Sequence, residues 1–151
     1  MKKLLLIAAA VVAGYTLLAE YPGAPLSRAT TSAHPESAQE STDAVIAKAF
    51  AAHGSGVPVT GEGIVSKLLR DDTDGSRHQK FLLRLTSGQT LLIAHNIDLA
   101  PRIETLKPGD PVQFAGEYAW NGQGGVVHWT HHDPQGTHDA GWLKHQGRTY
   151  Q

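Results

Sequence analysis

At 151 residues, with 13 Lys and Arg against 14 Asp and Glu, the chain has the length of one domain plus a targeting segment and a formal charge of −1. It has no cysteine, which excludes disulfides, thiolate-bound zinc and a cysteine nucleophile, so a metal would have to be held by imidazole and carboxylate. Setting aside Lys2 and Lys3, which belong to the targeting segment, leaves eleven basic and fourteen acidic residues, about −3, a balance that disfavours nucleic-acid binding through phosphate neutralisation.

The chain opens on Lys2 and Lys3 followed by an apolar run over residues 4–19, the pattern of a bacterial export signal, which directs the protein to the periplasm. Leu17-Leu18-Ala19 is a weak cleavage site, so two outcomes stay open: a removed signal peptide over 1–19, or an N-terminal inner-membrane anchor. Residues 20–41 are rich in Ser, Pro, Ala and Glu without periodicity and read as a flexible linker, with His34 a solvated bystander. From residue 42 to 151 a folded domain is expected. Thr42 is placed to cap a short helix over 43–53, with Val45, Ile46, Ala49 and Phe50 on one stripe and Gly54 at its end.

Beyond the helix, short strands alternate with turn signals, the signature of a small all-β barrel. The first strand is expected over 57–70, with Gly61 and Gly63 marking a bulge or bend, and Asp71-Asp72-Thr73-Asp74-Gly75 turns the chain. That acidic turn lacks the glutamate a calcium loop needs at its twelfth position and reads as a solvated hairpin tip. The second strand, over 78–86, puts Gln79, Phe81, Leu83 and Leu85 on one face. The third, over 90–96, does the same with Leu91, Ile93 and His95, so His95 ends an apolar row where its ring needs a partner. Asp98 and Pro101 suit the start of a short helix over 98–106. A fourth strand over 111–120 places Val112, Phe114, Gly116, Tyr118 and Trp120 on one face, and Asn121-Gly122 closes a hairpin. Three strands, a helix and two strands is the order of an OB-fold, so the expectation is an all-β protein with small helices, a five-stranded OB-fold-like barrel preceded by a short helix. The tail over 135–151 is too polar and glycine-rich for a core element and is expected to lie back across the barrel through its aromatics.

The chemistry concentrates in the fifth strand. Of nine histidines, seven fall at or after His78, and Gly125-Val126-Val127-His128-Trp129-Thr130-His131-His132-Asp133-Pro134 packs three of them beside a tryptophan and an aspartate. Its β-formers and the Asp-Pro step favour extended backbone over 126–133. On a straight strand His128 and His132 share a face but lie roughly 13 Å apart, too far to chelate one ion, whereas His131 and Asp133 have chelating spacing, with Trp129 on their side. A divalent transition metal such as zinc would then use His131 and Asp133, with His138 or His95 brought in by folding.

The strings His78-Gln79, Ala94-His95-Asn96-Ile97-Asp98-Leu99-Ala100-Pro101-Arg102-Ile103, Gly109-Asp110 and His128-Trp129-Thr130-His131-His132-Asp133-Pro134 span most of the domain. On them the chain resembles a family of small exported bacterial proteins, domain of unknown function 3465. The resemblance implies the same domain boundaries and export, and it assigns no catalytic residue.

Three functions follow as expectations. The first is an exported OB-fold binding protein that takes a small polar ligand or an envelope component, or a divalent metal. Its polar site is drawn from His78, His95, Asn96, His128, Trp129, His132 and Trp142, the two tryptophans offering surfaces on which a sugar or base can stack. The second is an envelope hydrolase of phosphodiesters or another polymer, with a histidine general base and Arg77, His78 or Asn96 supporting developing charge. No nucleophile motif, paired-carboxylate signature or phosphate-cradling glycine loop accompanies it. The third is a purely structural role in which the histidines lock the tail to the barrel.

Overall fold

The computed structural model describes residues 36–151, with side chains from residue 42 onward. The signal or anchor over 1–19 and the linker up to residue 35 lie outside the described residues. Helix α1 (Glu36–Ala51) is followed by strands β1 (Val57–Leu68), β2 (His78–Arg84), β3 (Thr90–Asn96), β4 (Pro111–Ala119), β5 (Val126–His128), β6 (Trp142–His145) and β7 (Arg148–Tyr150). The helix starts inside the stretch expected to be linker, because Glu36-Ser37-Ala38-Gln39-Glu40 carries good helix formers behind Pro35. Thr42 is therefore not a cap; its hydroxyl donates to the Thr60 carbonyl of β1 at 2.6 Å. The helix ends with His53 in the left-handed region (φ 53°), the Gly54 N–H reaching back to the Ala49 carbonyl and the His53 N–H to that of Phe50. Ile46 and Ala49 are buried against the barrel while Val45 faces out, and the Asp43 carboxylate accepts from the Ser87 N–H in the β2–β3 turn.

Strands β1, β2, β3, β5 and β4 form a closed five-stranded OB-fold-like barrel, shut by antiparallel pairing of β1 with β4, and β6 and β7 continue beyond β4. The expected rows hold: Gln79, Phe81, Leu83, Leu91, Ile93, His95, Val112, Phe114 and Tyr118 all point inward and are buried. At about 25 cal/mol per Å² such apolar rows supply the main drive to fold. Long β1 serves two neighbours, pairing with β4 through its first two thirds and with β2 from Ile64 onward. Its irregularity falls between Val65 and Lys67 and not at the glycines. Gly63 is needed for space, since a Cβ there would stand 2.7 Å from the Arg84 carbonyl oxygen where the two pairings meet.

Three expectations are corrected. No helix forms over 98–106, because the groups that would build one are bonded elsewhere. The Asp98 carboxylate accepts from the Arg77 N–H and guanidinium, and the Gln79 side-chain amide, from within the apolar row of β2, holds both the N–H and the carbonyl of Ile103. The β4–β5 connection spans residues 120–125 and is no two-residue turn. The Asn121 side chain caps the N–H groups of Gln123 and Gly125, and Trp120 turns outward from the row to which it was assigned, onto His53. The tail does enter the core: β6 and β7 form a hairpin along β4 that buries Leu143, His145 and Tyr150.

Candidate functional site: a tryptophan and histidine loop over a cleft

Strands β5 and β6 lie along the same edge of β4, facing residues 117–119 and 113–115 respectively. Residues 129–141 are therefore an excursion out of one strand lane. The extended reading holds for 126–128 and fails at Trp129, whose backbone is left-handed (φ 53°). The excursion closes where the Gly141 N–H donates to the His131 carbonyl at 3.0 Å, and a Cβ on Gly141 would collide with the carbonyls of Trp129 and Ala115. A compact loop with adjacent ends has to satisfy its own backbone.

Asp133 does that. Its buried carboxylate accepts from the N–H groups of Gln135, Thr137 and His138 and from the Thr137 hydroxyl. These bonds, the Gln135 N–H foremost, outweigh burial and hold the carboxyl far below the usual range. The bend that ends β5 leaves His131 buried, with Nδ1 2.7 Å from the His132 carbonyl, so that nitrogen carries the proton. His138 lies on the Trp129 indole with ring centroids 3.8 Å apart. Its Nδ1 bonds the Asp139 carbonyl at 2.8 Å, and its Nε2 is buried without a hydrogen-bond partner, 3.7 Å from Asp133 Oδ2. His131 meets His138 edge-on at 5.7 Å.

Folding thus gathers His131, Asp133 and His138 in one loop, as expected of a metal site, but commits the Asp133 carboxylate and the Nδ1 atoms of both histidines to backbone and side-chain partners within the loop. Among the described residues no three His, Asp or Glu side chains are placed to hold a metal ion. Asp133 is a loop-organising carboxylate. His132 is exposed and His131 buried, but neither lies on a strand, and Thr130 and His131 are buried in succession, so strand alternation is not what separates them.

The loop is tied to the barrel through Thr130. His95, fully buried, lies 2.9 Å from the Thr130 hydroxyl through Nδ1 and 3.2 Å from the Pro101 carbonyl through Nε2. The carbonyl can only accept, so Nε2 is protonated and Nδ1 receives the hydroxyl proton, a neutral imidazole. Burial pushes its pKa down to about 4. His95 is the satisfied core histidine its apolar row suggested.

Between the loop and the barrel's outer face lies a cleft of about 240 Å³, walled by Pro58 and Thr60 of β1, Glu117 of β4, and Trp129, His138 and Asp139 of the loop. Trp129 is 37% exposed. Beside it, His128 and Glu117 face each other across β5 and β4, with 3.6 Å between Nε2 and Oε1. Burial lowers the His128 pKa against the pull of Glu117.

The other predicted residues lie apart from these walls. His78 and Asn96 are cross-strand partners; His78 Nδ1 bonds the Ser76 carbonyl, and the Asn96 side chain accepts from the Asp98 N–H. With Arg77 on Asp98, these groups hold the β3–β4 connection. Trp142 is half-buried on β6. Sequence reasoning missed Glu117 and Asp139, and also the buried His145–Asp110 pair, 2.8 Å apart. Burial pushes the Asp110 carboxyl up, but His145 and the Lys107 N–H outweigh it and hold it below the usual range. The signal for His145 was present: Leu143-Lys144-His145 repeats the apolar-x-His ending of β3.

No curated protein matches the chain. Residues 29–151 match the family described as Protein of unknown function (DUF3465), and the chain belongs to that family.

Proposed function

We propose that this is an exported, periplasmic binding protein whose barrel supports the 129–141 loop as one wall of a cleft for a small polar ligand. The observation that carries the reading is Trp129. A bulky aromatic in the left-handed region costs on the order of 1–3 kcal/mol and persists only where its surroundings demand it. Here the strained residue presents a partly exposed indole to a cleft, with the His138 ring packed on it and lining the same cleft. An indole face beside an imidazole stacks on flat or apolar ligand surfaces, while Glu117, Asp139 and Thr60 supply hydrogen-bonding groups at the rim. His95 and His145 belong to the structural reading, since each spends a ring nitrogen on a buried partner.

Titration of the full chain with a panel of small neutral sugars, amines and carboxylates, read by tryptophan fluorescence and calorimetry, tests the reading. At least one class should saturate in the wild type and in His132→Ala and be lost in Trp129→Ala. A panel that leaves the wild type unchanged would overturn it. Export is tested by fusing residues 1–41 to a reporter active only outside the cytoplasm, and a silent reporter would refute it.

A further inference from the structure

We infer that the cleft is selective for a small organic cation of the alkylammonium class, an inference that rests on the binding reading above. Two carboxylates line or rim the space, Glu117 and Asp139, and neither is ion-paired with a lysine or arginine among the described residues. Among the described residues the basic group paired with Glu117 is the His128 imidazole, whose pKa burial lowers, disfavouring its charged form. A third negative charge stands behind the wall, because Asp133 is held ionised by its four hydrogen bonds and faces His138. The Trp129 ring adds the negative face of its quadrupole, the best side chain for attracting a cation.

A metal ion is not what this arrangement suits, since no three His, Asp or Glu side chains among the described residues converge to hold one. The negative charge is spread around an aromatic surface, which favours a diffuse, weakly hydrated cation over a compact one. The volume, about 240 Å³, falls short of the roughly 300 Å³ at which drug-sized pockets begin, so the occupant is a headgroup-sized molecule. Such a cation would lay its alkyl groups on Trp129 and its charge between Glu117 and Asp139.

The test uses the full chain with choline and tetramethylammonium as probes, potassium as the compact cation, and 3,3-dimethyl-1-butanol as the neutral isostere of choline. Calorimetry should show saturable binding of both organic cations, weakened by added salt, with the isostere and potassium at least about tenfold weaker. Glu117→Gln and Asp139→Asn should each weaken choline several-fold while leaving the melting temperature unchanged, so the charge requirement is read without disturbing the loop. Glycerophosphocholine distinguishes the source: binding equal to that of choline assigns a headgroup, and weaker binding a free cation. Isostere binding equal to choline, or choline binding insensitive to both carboxylate substitutions, would overturn cation selectivity while a Trp129-dependent cleft stands. If neither charged nor neutral probes bind, the cation inference and the cleft reading fall together.

Discussion

The β2–β3 wall and the 129–141 loop bury polar groups in comparable number but satisfy their backbones by different means. In the wall, seven cross-strand pairs from His78↔Asn96 to Arg84↔Thr90 stand in antiparallel register, every second pair exchanging backbone bonds, and side chains alternate strictly between core and outer face. In the loop, one carboxylate, Asp133, replaces a neighbouring strand. A periodic ladder imposes its period on the sequence, whereas a hub imposes only a single residue.

The largest test on the ladder side of that contrast is Phe114→Ala in β4 of the same barrel, which removes a fully buried ring and should cost about 3–5 kcal/mol in denaturant unfolding. Gln113→Ala, on the outer row with only a surface bond to Glu62, should be nearly silent. Equal effects would break the register assigned to β4.

Acidification probes the joint between the two regions. His95 stays neutral in the fold down to about pH 4, while in the unfolded chain it titrates near 6.5. Between those values the unfolded state binds the extra proton, so stability should fall as pH drops from 6.5 to 4 and then lose no more through this group. The ceiling is on the order of 3 kcal/mol. His95→Gln should flatten that slope in chemical denaturation, and an unaltered slope would place the titration elsewhere.

Next in size, Asp133→Asn keeps an acceptor but loses the charge that strengthens several bonds, and should cost about 2 kcal/mol. Hydrogen exchange should accelerate across 129–141 while β2 and β3 stay protected; acceleration in the wall as well would merge the two regions into one cooperative unit. The smallest effect belongs to exposed His132, where replacement by alanine should stay within about 0.5 kcal/mol.

What the sequence made legible follows the same division. The barrel, its inward rows and the burial of His95 could be read because alternation reports sheet pairing directly. The absent helix over 98–106 could not, because its cap, Asp98, and its backbone at Ile103 are claimed by Arg77 and Gln79 from across the sheet. The density of histidines around Trp129 marked the stretch that folds into the 129–141 loop. Which atoms face which depends on one left-handed residue, and a preference for strand in Val-Val-His-Trp-Thr gives no warning of it. Glu117 and Asp139 escaped notice because they lie far apart in sequence, and the register that sets Glu117 against His128 depends on a connection four residues longer than Asn-Gly implies.

The mouth of the loop, closed by the bond from Gly141 to His131, has a consequence for how the molecule can change over time. Where an excursion leaves and re-enters at one point, the chain between can lengthen, shorten or exchange residues at an entropic cost that grows only with the logarithm of its length. Strands on either side need not shift. Residues 132–140 are thus a cassette in which Asp133 is the position to keep, and the other eight can be rewritten while the barrel stays intact.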